Sequence, residues 1–325
     1  MMHKAEILVG DAVSSLKGLP DGGVRTCVTS PPYWGLRDYG NDNQIGLEAT
    51  PSEFVESLCL VFDEVWRVLA DDGTLWVNLG DSYAGASLSR ASNNGRAGYG
   101  NPREGTFSRL GDGLKPKELV GIPWRFAFAM QARGWYLRQD IIWAKPNPMP
   151  ESVTDRCTKS HEYIFLFSKQ PKYFFDSVAI REPLAESSLG RLAQHVESQV
   201  GSTRANAGAK TNGNMKALGD PEAGRNKRSV WNVGVASFKD AHFAVYPPAL
   251  IEPCIKAGSA ENDTVLDPFS GSGTTGEVAL KLGRNYVGCE LNPDYAKLSE
   301  KRLTDALGMF ATVEVNDRLL LEGKK

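Results

Sequence analysis

A chain of 325 residues, 41% hydrophobic and 23% charged with a formal net charge of -2, has the ordinary balance that buries a globular core. Such a composition excludes a collagen-like or wholly disordered chain and carries no global basic signature for nucleic acid, although local fields matter more there than totals. No apolar run is long enough for a membrane span and the opening MMHKAEILVGD lacks a signal-peptide core, so a cytoplasmic protein without a membrane partner is expected.

In chain order, strand-like runs occur at EILVGD (6–11), VRTCVTS (24–30), TLWVNLGD (74–81), YLRQDIIWAKP (136–146), EYIFLFSK (162–169), DTVLDPF (263–269) and NYVGCEL (285–291). Helical patterns lie between many of them. In residues 52–73, Phe54, Leu58, Val61, Phe62, Val65 and Leu69 trace one apolar face, and Asp72-Gly73 is expected to end the helix. Residues 117–134, 247–258 and 292–308 read as helices too, with Pro near the start and Gly at the end. Strands alternating with helices predict an α/β fold with a largely parallel sheet covered on both faces. Two stretches break the pattern: 84–118 and 185–228 are rich in Ser, Gly, Asn and basic residues, with 6 − 3 = +3 and 7 − 4 = +3 charges. Segments this long without periodicity read as functional loops or linkers.

Two short motifs carry chemistry. Ser30-Pro31-Pro32-Tyr33 stops a strand abruptly, because consecutive prolines lack the donors a ladder needs. They hold carbonyl oxygens and neighbouring side chains rigidly instead. Late in the chain, Gly271, Gly273 and Gly276 satisfy the G-x-G-x-x-G turn between a strand and a helix, and Glu290 ends the next strand, where an acid reaches ribose hydroxyls. A nicotinamide dinucleotide, and hence an NAD-dependent oxidoreductase, fits that spacing. Two features weigh against it: the turn comes near the end of the chain, and Asp267 precedes it, where a carboxylate repels pyrophosphate but suits an ammonium group. S-adenosylmethionine has that ammonium, a ribose and no phosphate.

With Ser30-Pro31-Pro32-Tyr33 early and Asp267-Pro268-Phe269-Ser270-Gly271-Ser272-Gly273-Thr274 late, the chain resembles the β-class DNA amino-methyltransferases over nearly its whole length. The resemblance implies a seven-stranded, mostly parallel, Rossmann-like sheet with circularly permuted motif order and a variable target-recognition insertion. On that basis residues 1–180 are the catalytic part, with a mobile loop at 84–118. Residues 181–240 are then the target-recognition region, and 241–325 the cofactor-binding part of the same domain. It implies catalytic roles for Ser30, Pro31, Pro32 and Tyr33. It implies cofactor contacts from Asp11, Phe243, Pro247, Leu250, Asp267, Phe269, Gly271, Ser272, Gly273, Thr274, Thr275 and Glu290, and no metal. S-adenosyl-L-methionine is the implied cofactor and double-stranded DNA the partner, with a cognate restriction endonuclease allowed. Serine at the head of the tetrapeptide points to cytosine N4, with adenine N6 as the alternative.

The chemistry explains the motif. An exocyclic amine is a poor nucleophile, since its lone pair is delocalised into the ring. The Ser30 hydroxyl and Pro31 carbonyl can each accept one amine hydrogen and so aim the lone pair, while Tyr33 stacks on a base swung out of the duplex. Other residues read as structural. His161 lacks a second ligand at metal spacing, as do His3, His195 and His242; Trp124, Trp135 and Trp143 read as core, and Trp34 as lid or wall. Asp81 reads as a loop cap, Arg37 and Asp38 as a local ion pair. Pro253-Cys254 falls in a helix among apolar residues rather than in a nucleophile motif.

Overall fold

A computed structural model describes residues 3–35, 44–85, 112–184, 224–235, 246–307 and 311–317. Most of both basic stretches, together with Arg37, Asp38, His195, His242 and Phe243, lies outside the described residues. The chain divides into one unit of Met1–Phe175 with Ser229–Lys325, which holds the sheet, and a second of Asp176–Arg228. In the second unit Glu182 exchanges backbone hydrogen bonds with Arg225 and pairs with the Arg225 and Arg228 side chains at 3.4 and 3.0 Å.

All seven strand-like runs form strands: β1 (His3–Val9), β2 (Val24–Thr29), β3 (Leu69–Leu79), β4 (Tyr136–Ala144), β5 (His161–Ser168), β7 (Thr264–Asp267) and β8 (Asn285–Glu290). Two more, β6 (Val230–Asn232) and β9 (Ala311–Asp317), extend the expected seven-stranded sheet to nine, in the order β6-β4-β5-β3-β2-β7-β8-β1-β9. Both additions are edges. Only three residues of β6 pair with β4, and β9 is a polar strand tied to β1 by Lys4–Glu314 at 2.9 Å and Asn316–Glu6 at 2.7 Å. Edge strands bury too little for a hydrophobic signature. Every neighbouring pair is parallel except those of β5, which runs antiparallel to β3 and β4.

The helices are α1 (Ala12–Lys17), α2 (Pro51–Val68), α3 (Ile122–Ala132), α4 (Pro248–Gly258), α5 (Thr274–Lys281) and α6 (Pro293–Leu307). Connections through α1, α2 and α3 step along the sheet in one direction, and those through α4, α5 and α6 step in the other. Right-handed crossovers therefore put the two sets on opposite faces. The direction reverses between β2 and β7, so the sheet has its topological switch point there. In open α/β sheets ligands bind beyond the carboxyl ends of the strands at such a point. The tetrapeptide follows β2 and the glycine turn follows β7.

Helix α2 starts on a capping box between Thr50 and Glu53 with Pro51 in its first turn. The face read from the sequence is the one buried: Phe54, Leu58, Val61, Phe62 and Val65 are fully enclosed. Its end differs from expectation. The helix stops at Val68, and Leu69 turns extended to pair with Val24, because a buried strand offers Leu69 a ladder that a longer helix would forfeit. Phe62 packs on Phe126 of α3 and on Phe269 beside the glycine turn, with ring centroids 5.2 and 6.5 Å apart. Phe62→Ala is expected to cost about 3–5 kcal/mol of stability in a denaturant titration; an unchanged midpoint would show that this ring does not anchor the core.

Candidate active site

Parallel pairing of Thr26 with Val265 and Cys27 with Leu266 sets the ends of β2 and β7 side by side. One buried carboxylate then joins their loops. Asp267 Oδ1 accepts from the Thr29 hydroxyl at 2.6 Å and from the Phe269 N–H at 3.0 Å. Its Oδ2 accepts from the hydroxyls of Thr275 at 2.5 Å and Tyr246 at 3.2 Å. Burial pushes the Asp267 carboxyl up, against these hydrogen bonds, which favour the charged form. Thr29 is the residue before Ser30, so the tetrapeptide and the glycine turn are tied within two hydrogen bonds.

That geometry refines the expected role of Asp267. All four of its partners belong to the protein and it is 1% exposed, so it anchors the turn from beneath. Ser272, Thr274 and Thr275 likewise point inward. Arg302 of α6 donates to Ser272 Oγ at 3.2 Å and Thr274 Oγ1 at 2.8 Å, and is itself held by Glu277 at 2.5 Å. What the turn offers outward is backbone, since the first N–H groups of α5 have no partner within the helix. Gly273, at φ +78°, is where a side chain is forbidden twice over: a Cβ there would lie 3.2 Å from the Ser299 Cα and closer still to its hydroxyl.

Glu290 closes the other side of the turn. Its Oε2 accepts from the Gly271 N–H at 2.8 Å and its Oε1 from the Asn292 N–H at 2.9 Å. Burial, with a smaller contribution from the Asp267 charge, pushes its carboxyl up to about 7. On the adjacent strand Asp11 caps α1, accepting from the Ser14 N–H at 2.9 Å, and Gly10 N–H donates to the Glu290 carbonyl at 2.9 Å. Asp11, Glu290 and the glycine turn therefore share one end of the sheet. Pro247 and Leu250 begin α4 and are buried, while Phe269 is half-buried.

Around the tetrapeptide, Pro31 is buried, and Ser30, Pro32 and Tyr33 are half-buried. The Tyr33 hydroxyl donates to Glu162 Oε2 at 2.7 Å, and Lys145 pairs with the other oxygen of Glu162. Burial and the Glu162 charge push the Tyr33 phenol well above its ordinary range, while hydrogen bonds with Ser30 and the Gly80 backbone pull the other way. Trp34 is wall: it is 2% exposed and donates to the Glu48 carbonyl at 2.8 Å. Asp81 caps the start of α3, accepting from the Gly121 and Ile122 N–H groups. Trp135 and Trp143 are buried, Trp124 half-buried, and Cys254 is enclosed within α4.

Thr29, Tyr246, Lys145 and Glu162 were not singled out in the sequence. The available signal was position: Thr29 adjoins the tetrapeptide, and Tyr246 precedes a double proline. Because Glu290 binds its proton more tightly folded than unfolded, it adds stability that is full below its ordinary pKa of 4.5 and is lost as pH rises through about 7. Over that window the stability difference between wild type and Glu290→Gln is expected to shrink in pH-dependent denaturation; a pH-independent difference would contradict the assigned shift.

Residues 24–301 match the family model of the DNA methylases. The chain is 46% identical over 310 residues to the Type II methyltransferase M.XycI of Xanthomonas campestris pv. cyanopsidis, covering 93% of this chain and 89% of that protein. It is 44% identical to the Type II methyltransferase M.SmaI of Serratia marcescens, covering 93% and 91%. Among solved structures, the cytosine-N4-specific PvuII DNA methyltransferase superposes with a TM-score of 0.62 at 17% identity, over 97% of this chain and 96% of that one. A DNA modification methylase of Thermus thermophilus, complexed with S-adenosyl-L-methionine, gives 0.58 at 24% identity over 96% and 100%. With the motif order, the switch-point geometry and a match spanning most of its length, the chain belongs to the DNA methylase family.

Proposed function

We propose that the protein is a site-specific methyltransferase that moves the methyl group of S-adenosylmethionine to the exocyclic N4 amine of cytosine in double-stranded DNA. The observation that carries this reading is the Thr29–Asp267 hydrogen bond, which holds Ser30–Tyr33 against the turn where the cofactor would sit. The residues present fit that cofactor. Glu290 would take the ribose hydroxyls and Asp11 would lie by the adenine. Phe269, Pro247 and Leu250 would wall the methionine end, joined by Phe243. Gly271, Ser272, Gly273, Thr274 and Thr275 would offer backbone N–H groups to the carboxylate. Asp267, anchored internally, would add a negative field that suits the ammonium. When bound, the cofactor supplies an electrophilic methyl group on a sulfonium centre.

The protein's own residues then act on the amine. Ser30 Oγ and the Pro31 carbonyl accept its two hydrogens, turning the lone pair outward, and the double proline keeps both acceptors rigid. Tyr33 stacks on the extruded ring, worth roughly 1–3 kcal/mol. Serine rather than an acid or amide at position 30 favours cytosine over adenine. Residues 181–240 would carry target recognition, and the Type II names of the relatives support a cognate endonuclease as partner. The nicotinamide alternative gives Ser30–Tyr33 no role.

Mass spectrometry of nucleosides from DNA treated with enzyme and labelled cofactor is expected to show N4-methylcytosine. N6-methyladenine would overturn the base assignment, and no labelled nucleoside would overturn the activity. Tyr33→Ala is expected to lower turnover about ten- to hundredfold while cofactor affinity by calorimetry stays within about twofold; equal losses would contradict its role on the base. Ribose hydroxyls donate best to an ionised carboxylate, so cofactor affinity is expected to rise with pH through about 7 and to lose that rise in Glu290→Gln.

A further inference from the structure

We propose that Glu162, held by Lys145, is a positioning residue that fixes the angle of the Tyr33 ring through its hydroxyl; the inference rests on the base-stacking role proposed for Tyr33. Four strand ends converge on this one ring. Tyr33 leaves β2, and Gly80 leaves β3. Glu162 begins β5 opposite Trp143 of β4, and Lys145 follows β4, its N–H donating to the Ser160 carbonyl at 2.8 Å. A Cβ at Gly80 would lie 2.6 Å from Tyr33 Cε2 and 3.3 Å from Glu162 Cδ, so the bare backbone there lets ring and carboxylate close up. The Glu162 carboxylate is used at both ends, one oxygen on the Tyr33 hydroxyl and the other on Lys145. Lys145 is fixed in turn: its ammonium lies 4.2 Å from the centroid of the Trp143 ring, whose Nε1 donates to the Val233 carbonyl at 2.8 Å.

Stability does not account for this arrangement. The Lys145 and Glu162 side chains are only 18% and 14% exposed. For a pair that buried, desolvation cancels most of the Coulomb attraction, and apolar residues of similar volume serve as well. What the pair supplies is direction. A phenol tied to a fixed acceptor cannot swing, so a base stacked on its face meets the Ser30 and Pro31 acceptors at one angle. Misplacement of about 1 Å at such a site costs up to about a hundredfold in rate.

The test is a cycle of four full-length proteins: wild type, Tyr33→Phe, the paired Glu162→Leu with Lys145→Met, and all three substitutions together. The paired change removes both charges at once, so no unpaired ion is left buried. Single-turnover methylation is expected to slow about tenfold in Tyr33→Phe and in the paired variant, with melting temperature and cofactor affinity near wild type. In the triple variant it is expected to be no slower than in either. Multiplying losses, or a paired variant that melts earlier yet keeps its rate, would overturn the proposal. Should the paired variant not fold, Tyr33→Phe decides alone: a rate within about twofold of wild type overturns it, and a loss of about tenfold upholds it. Wild type without methylation would instead refute the proposed activity, a separate outcome.

Discussion

The site depends on one buried carboxylate. Asp267 ends β7 and gathers donors from β2, from its own turn, from α5 and from the segment before α4. An ion so enclosed is costly unless its lone pairs are filled, and here they are filled by groups far apart in sequence. Thr29 lies 238 positions away along the chain. Satisfying Asp267 is thus equivalent to closing the fold around the site. Nothing local would hold the tetrapeptide at the turn; the buried charge does.

The sheet explains why a permuted order of motifs is tolerated. Parallel strands need crossovers, and crossover handedness fixes only which face each helix covers. Whether the chain visits β1 before or after β8 is immaterial once Ile7 pairs with Gly288 and Leu8 with Cys289. The switch point needs two strands whose connections diverge, and β2 with β7 meets that need although one opens the chain and the other comes late. Catalytic and cofactor segments can therefore be remote in sequence and neighbours at the carboxyl edge.

How much of this was legible beforehand follows from the kind of signal each part carries. The seven inner strands show as apolar runs because they are buried, and the α2 face shows as a helical period because one side is core. The edges β6 and β9 bury little and left no such mark. The three glycines of the turn were legible because close approach admits no other residue, as the Tyr286 ring 2.7 Å from a Cβ at Gly276 illustrates. Side-chain direction was not legible. Ser272, Thr274 and Thr275 look like ligand residues in a loop, yet they serve Arg302 and Asp267. Glu162 and Lys145 were hidden for the same reason: each is an ordinary charged residue until β4 and β5 pair and bring them to Tyr33.

The two sides of the cleft treat charge differently, and the difference suits the reaction proposed. Beside the base, the Glu162 carboxylate meets a full cation in Lys145, so that wall is neutral before any substrate arrives. Beside the cofactor, Asp267 and Glu290 are held by hydroxyls and backbone N–H groups, and each carboxyl is raised. A raised carboxyl is stored demand for positive charge, because any cation placed nearby lowers it again and recovers the free energy of the shift. A ligand bearing an ammonium and a sulfonium answers that demand, and its demethylated product, neutral at sulfur, answers it less well. The fold would thus hold the charged donor more tightly than the spent one, through the same carboxylate that closes the fold.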